Sequence, residues 1–207
     1  MSPFLSYLTL GFQHISDLEG YDHILFLIAL CAVYRLSQWK NVLVMVTAFT
    51  LGHSLSLGIA TLTQLNMGQE ITLGAISFQL SQVIEFLIPV TIFLTAISNV
   101  IRNHDEQLTP GKQRIQYVAA SFFGLIHGLG FSNFLQTILG REENLFSPLL
   151  AFNIGLELGQ LMIVALLMII TWIFLDIGKT IHRDWILFVS GAAAGVAVIL
   201  MINTKFW

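Results

Sequence analysis

The chain has 207 residues, of which 56% are hydrophobic and only 10% are charged. Soluble domains carry roughly 25% charged residues, so the composition indicates an integral membrane protein in contact with the lipid bilayer. Nine Lys and Arg residues against twelve Asp and Glu residues form no basic run, which argues against nucleic acid as a partner. No stretch is long and polar enough to be a separate soluble domain. Residues 1–207 are therefore expected to form a single integral membrane domain.

Six apolar runs predict transmembrane helices, because a bilayer core of about 30 Å needs about 20 helical residues to cross. In chain order the runs are Asp22–Leu36, Val42–Leu62, Leu73–Ile101, Ile115–Leu139, Phe146–Leu175 and Trp185–Ile202. Lone strands cannot satisfy their backbone hydrogen bonds in lipid, so helices are the expected form. The predicted fold is an all-α bundle of six transmembrane helices.

The first run is shorter than the others. As a helix, Asp22–Leu36 would rise only about 22 Å, and Gly11 and Gly20 interrupt the apolar segment before it. A short or broken first helix is an arrangement that puts helix ends and irregular backbone at a binding site. A tilted helix in a locally thinned bilayer is the alternative. We favour the binding-site interpretation.

The basic residues predict the orientation of the chain. Seven of the nine lie in alternate loops, namely Arg35, Lys40, Arg102, Lys112, Arg114, Lys179 and Arg183. By the positive-inside rule these loops face the cytoplasm. Both termini are then expected outside the cytoplasm.

The polar stretch at residues 13–23 precedes the first apolar run. It contains His14, His23, Asp22 and two further carboxylates, and imidazoles with carboxylates are ligands for a borderline divalent cation. Alternatively, Asp22 is only an acidic cap at the start of a helix. The stretch alone leaves both interpretations open.

Four ionisable residues are predicted to lie near the bilayer midplane: His53, Glu85, His127 and Glu157. An ionised side chain costs about 2.5–3.5 kcal/mol at that depth, and pairing, proton sharing or a bound cation can offset this cost. Asn153 and Gln160 share a helix face with Glu157 and could act as neutral ligands. We therefore expect this set to be functional and to receive any cation captured by residues 13–23.

Spacing along the chain predicts two further features of the bundle. His53 precedes Glu85 by 32 positions and His127 precedes Glu157 by 30, which suggests a parallel pseudo-repeat of helices 2–3 and 4–5. Three pairs of glycines four residues apart predict close helix contacts. The pairs are Gly124/Gly128, Gly155/Gly159 and Gly191/Gly195.

The motifs around these residues give the chain a family resemblance. They are Gly20-Tyr21-Asp22-His23-Ile24-Leu25-Phe26 after His14, Thr50-Leu51-Gly52-His53-Ser54, Gly124-Leu125-Ile126-His127-Gly128-Leu129-Gly130-Phe131-Ser132, and Phe152-Asn153-Ile154-Gly155-Leu156-Glu157. In this order the chain resembles the HupE/UreJ family of bacterial membrane proteins, known as nickel permeases and as accessory proteins of hydrogenase and urease systems. The resemblance implies that His14, Asp22 and His23 contact the metal. It also implies the bacterial inner membrane and metalloenzyme-maturation proteins as partners.

The favoured functional hypothesis is a secondary permease for a divalent transition-metal ion, most readily nickel or cobalt, with zinc as a further candidate. Its predicted ligands are His14, Asp22, His23, His53, Glu85, His127, Asn153 and Glu157. The alternative is an intramembrane metalloenzyme, a hydrolase or oxidase, that uses the same His/Glu cluster. A carrier needs weak sites arranged in stages, whereas an enzyme needs three or more ligands around one tight site. A metal sensor or accessory subunit is a third hypothesis, and homo-oligomerisation stays open.

Overall fold

The computed structural model describes residues 2–73, 76–102, 110–139 and 144–207. Most of the predicted third loop, at residues 103–109, lies outside the described residues. Two short helices come first, and five long ones follow. In order they are α1 (Pro3–Ser16), α2 (Asp22–Cys31), α3 (Trp39–Leu62), α4 (Leu80–Ile101), α5 (Pro110–Leu139), α6 (Phe146–Trp172) and α7 (His182–Asn203). A single 3₁₀ turn, Leu36–Gln38, leads into α3, and a π-helical turn, Ile173–Ile177, ends α6.

The five long helices are long and apolar enough to cross a membrane, so the chain is a multi-pass membrane protein. The predicted six-span count is not confirmed. Where a first span was expected, α2 has ten residues and rises only about 15 Å. Residues 17–21, which include Gly20, separate α2 from α1. The predicted break is therefore present, although Gly11 lies inside α1 and does not interrupt it.

A β-hairpin that the sequence did not predict lies between α3 and α4. Strand β1 (Glu70–Leu73) pairs antiparallel with β2 (Ile76–Gln79), so that Glu70 lies opposite Gln79. The hairpin uses the first residues of the third predicted run, and α4 begins at Leu80 rather than at Leu73. Because of this later start, every residue of α4 lies closer to the beginning of the helix than the sequence indicated.

Helices α3 and α5 pack side by side through glycines. Gly124 lies against the backbone of Phe49 and His53, and Gly128 lies against His53 and Ser56. The contacts advance in the same direction along both helices, so α3 and α5 run parallel. Because glycines have no side chains, the two backbones approach closely, and because Gly128 lies against His53, the neighbouring His127 lies at about the depth of His53.

Helices α1 and α6 repeat this parallel glycine contact. Gly155 lies against the backbone of Leu8 and Phe12, and Gly159 lies against Phe12 and the Ile15 side chain. The contact fixes α1 along α6 and brings the end of α1 to the middle of the bundle. The same kind of contact therefore occurs in the α1/α6 pair and in the α3/α5 pair. The predicted repeat of helices 2–3 and 4–5 is not confirmed.

The third predicted glycine contact is wrong. A side chain added at Gly191 or Gly195 would meet nothing within 4 Å. These two positions of α7 face open space, although α7 itself packs along α4 and hydrogen-bonds it where Asn99 Nδ2 donates to Ser190 Oγ at 3.3 Å. Of the three predicted glycine pairs, those of α5 and α6 therefore mark close contacts and that of α7 does not.

The surface and the interior of the bundle differ as a lipid environment requires. Leu51, Leu55 and Ile59 of α3 are exposed and are spaced four residues apart, which makes one apolar face for lipid. His53, between them in sequence, is fully buried. The interior therefore holds polar groups while the outside is apolar.

Candidate metal centre

The centre begins at the first turn of α2, where Asp22 holds His23. Asp22 Oδ1 accepts a hydrogen bond from the His23 backbone N–H at 2.9 Å and lies 3.1 Å from His23 Nδ1. A carboxylate accepts but does not donate, so Nδ1 carries the proton and Nε2 keeps its lone pair. The Nε2 atom is buried and has no hydrogen-bond partner among the described residues. His23 is thus prepared to bind a metal through Nε2.

His127 of α5 is oriented in the same way by a threonine of α4. Its Nε2 lies 3.0 Å from Thr91 Oγ1, and the Thr91 hydroxyl donates its one proton to the Ile88 carbonyl at 2.7 Å. The Thr91 oxygen must therefore accept from His127 Nε2, which leaves the lone pair on Nδ1. That atom is buried and has no hydrogen-bond partner among the described residues.

Two more histidines complete the cluster around His23. Its ring centroid lies 4.8 Å from that of His14, 5.2 Å from that of His127 and 5.8 Å from that of His53. Imidazoles bound to one ion through nitrogens about 2 Å from the metal have ring centroids about 5 Å apart. Both nitrogens of His53 and the Nε2 of His14 are buried without hydrogen-bond partners in the described part of the chain. The arrangement fits several imidazoles that share one ion.

The tightest part of the cluster is formed by Asp22, His23 and His127. Each offers one ligand atom, and these atoms all lie within 4.8 Å of one another. Imidazole and carboxylate donors suit nickel, cobalt and zinc. Buried nitrogens that lack a hydrogen bond are otherwise costly, and a bound divalent ion would satisfy them.

Two pockets lead from the surface to the cluster. An open pocket of about 710 Å³ is lined by Gln13, His14 and Asp17 at the end of α1 and by Phe131 of α5. The His14 ring packs on Phe131 with centroids 3.7 Å apart. His14 therefore separates this pocket from the buried histidines.

The second pocket, of about 190 Å³, reaches the carboxylate of the centre. Its lining includes Glu19, Asp22, Glu85 and Pro89. Since Pro89 has no N–H, the carbonyl of Glu85 loses its helical donor. Two further carboxylates, those of Glu19 and Glu85, thus line the approach to Asp22.

Aromatic rings close the cluster on its other side. Phe26 and Phe49 stack with centroids 4.8 Å apart, and each lies 5.2 Å from the His127 ring. A further cavity of about 150 Å³ has Tyr34, among others, in its lining. The apolar rings keep water from the buried histidines on this side.

The structure brings His14, Asp22, His23, His53 and His127 into one group, whereas the sequence analysis expected an outer segment that passes the ion to a separate midplane set. Glu85 lies elsewhere, because it is exposed and is the sixth residue of α4. It borders the pocket in front of Asp22 and lies about 8 Å along the axis from the middle of its helix. Its predicted midplane position is wrong, and the hairpin before α4 is the reason.

Asn153 and Glu157 form hydrogen bonds to hydroxyl groups of α3. Asn153 Oδ1 accepts a hydrogen bond from Ser54 Oγ, and Glu157 Oε1 accepts one from Thr47 Oγ1, both at 2.8 Å. The two side chains therefore face α3 across the α3–α6 interface. That Asn153 and Glu157 bind the metal stays a prediction, and no contact with the histidines among the described residues supports it.

Sequence reasoning missed the residues that position the ligands. Thr91 orients His127 from 36 positions away in the chain, and Phe131 covers His14. Threonine and phenylalanine are common in apolar helices, so neither residue stands out in a single sequence. Phe131 does lie in the quoted motif around His127, which is the one available signal.

Five membrane-spanning helices around a buried group of histidines and an aspartate define a multi-pass membrane protein with a candidate metal centre. The family model of the HupE / UreJ protein matches residues 1–206. The chain belongs to the HupE/UreJ family, as its motifs predicted. This family is associated with nickel or cobalt transport or with accessory functions. Searches of curated proteins and of solved structures gave no match.

Proposed function

We propose that the protein is a secondary permease for a divalent transition-metal ion, nickel or cobalt. The observation that carries the proposal is the group of buried imidazole nitrogens around His23 that have no hydrogen-bond partner in the described part of the chain. His14, Asp22, His23, His53 and His127 would hold the ion. The family's association with nickel and cobalt points to the same cargo.

The ion would enter from the side on which the two pockets open. Glu85 and Glu19 would attract the hydrated ion in front of Asp22, and His14 would take it from the larger pocket. With this side facing outward across a bacterial inner membrane, an inside-negative potential would favour uptake by about 4.6 kcal/mol per 100 mV. Homo-oligomers and metalloenzyme-maturation partners stay predictions.

Uptake by the purified protein in liposomes tests the proposal. We expect Ni²⁺ or Co²⁺ to accumulate in proteoliposomes, and an inside-negative potassium diffusion potential to increase the initial rate. His23→Gln and His127→Gln should reduce uptake to the level of empty liposomes, because each removes a buried ligand.

A matched control is His182→Gln, which removes a histidine at the start of α7 outside the cluster. It should transport as the unmodified protein does. The permease proposal fails if folded protein in sealed liposomes gives no metal-dependent flux, or if His23→Gln transports normally.

The alternative, an intramembrane metalloenzyme, is favoured by one observation. The other four proposed ligands surround His23 in one compact group, whereas a carrier was expected to have its sites in stages. Glu85 beside Asp22 would then be the candidate general base. Metal that stays bound in a one-to-one ratio after dialysis against a chelator, combined with no flux, would favour the enzyme.

A further inference from the structure

A second polar group lies between α3 and α6, and it consists of oxygen donors. Thr47 Oγ1 donates to Glu157 Oε1 at 2.8 Å, and Thr50 Oγ1 lies 2.5 Å from the side-chain oxygen of Gln160. The two threonines are three residues apart, as are Glu157 and Gln160, so each pair lies on one face of its helix and the two faces meet across the interface. We call these four residues the α3–α6 oxygen site.

Gln160 carries the observation that points to a ligand. Its side chain is fully buried, and its amide nitrogen has no hydrogen-bond partner among the described residues. Thr50 Oγ1 also lies 3.1 Å from the Val46 carbonyl, and its single proton cannot go to both oxygens. If the amide turns by 180°, its NH₂ donates to Thr50, the Thr50 proton goes to Val46, and the Gln160 oxygen becomes the unpartnered atom.

The carboxylate of this site is not neutralised by a cation. Among the described residues the only ion pair joins Asp22 and His23, so none was found for Glu157. Glu157 is the twelfth residue of the 27-residue helix α6 and lies near its middle. A charge at this depth requires compensation.

We propose that the α3–α6 oxygen site binds a sodium ion. Its donors are one carboxylate, two hydroxyls and one amide oxygen, which are hard ligands. The single negative charge matches a monovalent cation, while nickel and cobalt would prefer the imidazoles of the metal centre. A proton would need only Glu157 and would leave the unpartnered Gln160 amide unexplained.

Helix α3 links this site to the metal centre. Thr50 precedes His53 by three residues, less than one turn, so a sodium ion bound jointly by α3 and α6 at this site would fix α3 on α6 and hold His53 in place. If the proposed permease function holds, sodium would thus drive metal uptake as a co-transported ion. Binding free energies are reciprocal, so each ion would then increase the affinity for the other.

Sodium binding is tested on the purified full chain in detergent with all transition metal removed. We measure thermal unfolding while NaCl replaces choline chloride at constant ionic strength, and we measure ²²Na⁺ retention in the same buffer. Saturating sodium should raise Tm by about 5 °C, and ²²Na⁺ should bind in a one-to-one ratio.

The variants Glu157→Gln and Thr50→Val should lose both the shift in Tm and the bound ²²Na⁺. Ser54→Ala is the matched control, because it removes the hydrogen bond to Asn153 across the same interface without touching the oxygen site. It should keep the response to sodium, as should His127→Gln, which alters only the metal centre.

The proposal is overturned if sodium acts no differently from choline, or if Glu157→Gln responds like the unmodified protein. A stabilisation that follows falling pH, needs Glu157 and ignores sodium would overturn it in favour of a proton. Because no nickel or cobalt is present, these results stand apart from the flux measurements. Sodium binding without metal flux would keep the site and reject its role in transport.

Discussion

At the scale of single residues, the buried histidines differ in what fixes their protonation. Asp22 holds the proton on Nδ1 of His23, and Thr91 holds it on Nε2 of His127. The two rings therefore present different nitrogens to a shared ion. Side chains that hydrogen-bond a metal ligand in this way usually contribute to metal affinity, and their loss typically weakens binding about 10- to 100-fold.

Thr91→Val tests this positioning role. The substitution keeps the shape of the side chain and removes the oxygen that accepts from His127 Nε2, so His127 loses its fixed tautomer. We expect Ni²⁺ or Co²⁺ affinity to fall about 10- to 100-fold, as measured by isothermal titration calorimetry in detergent.

Thr95→Val is the control for the Thr91 measurement. Thr95 lies one turn further along α4, and its hydroxyl donates to the Thr91 carbonyl at 2.8 Å rather than to a histidine. Its affinity should match that of the unmodified protein. If Thr91→Val and Thr95→Val bind the metal with equal affinity, Thr91 does not position His127 for metal binding.

At the scale of helices, glycines set the distance between the parallel pairs. A side chain at Gly52 would run into the backbone of Ser121, and one at Gly128 would run into the backbone of His53. Backbone atoms in packed helices cannot move aside cheaply. The close contact therefore holds α3 and α5 at the spacing that the metal centre needs.

Gly52→Ala is expected to destabilise the protein by about 1–3 kcal/mol, the usual cost of overpacking. Gly191→Ala is the control, since it meets nothing within 4 Å. An alanine in an exposed helix position should be neutral or stabilise by up to about 1 kcal/mol. Thermal unfolding in the same detergent compares the two, and a Gly52→Ala protein as stable as Gly191→Ala would contradict the packing argument.

Element boundaries explain which parts of the site could be predicted from the sequence. His53 and His127 lie in long apolar runs without a competing signal, so their depth followed from counting residues. The depth of Glu85 did not, because residues 70–73 and 76–79 pair as two strands and the second of them continues the apolar pattern of the predicted run. Because α4 starts seven residues later than the predicted run, Glu85 lies about 10 Å closer to the beginning of its helix and about 5 Å further from the middle.

The rotation of α6 was beyond prediction for a different reason. Asn153, Glu157 and Gln160 do share one face, as their spacing indicated, but that face points to α3. Gly155 and Gly159, on another face of α6, lie against α1. One sequence gives the spacing along a helix, whereas the neighbour of each face depends on packing between distant segments.

At the scale of the whole molecule, the metal centre is reached from one end of the helix bundle. Both pockets reach the centre where α1 ends and α2 begins, and the stacked rings of Phe26 and Phe49 close the other side. The direction of transport therefore depends on which side of the membrane the pockets face. The distribution of basic residues predicts that they face outward.

Cysteine labelling of intact cells tests this orientation. Cys31 is the only cysteine in the sequence and is buried at 2% exposure, so Cys31→Ala supplies a cysteine-free background. Ser37→Cys, before α3, and Gln69→Cys, before the hairpin, then place single thiols at exposed positions on opposite ends of α3. A membrane-impermeant maleimide should label Gln69→Cys in intact cells, and should label Ser37→Cys only after the cells are opened.

Cys31 in the unmodified chain is the internal control, since it should react only after denaturation. The reverse labelling pattern would put the pockets on the cytoplasmic side. An inside-negative potential would then oppose release of a divalent cation from the centre to the outside by the same energy per charge that favours uptake. A permease in that orientation would need a driving ion to export metal, whereas in the predicted orientation the membrane potential and a co-transported sodium ion would both favour import.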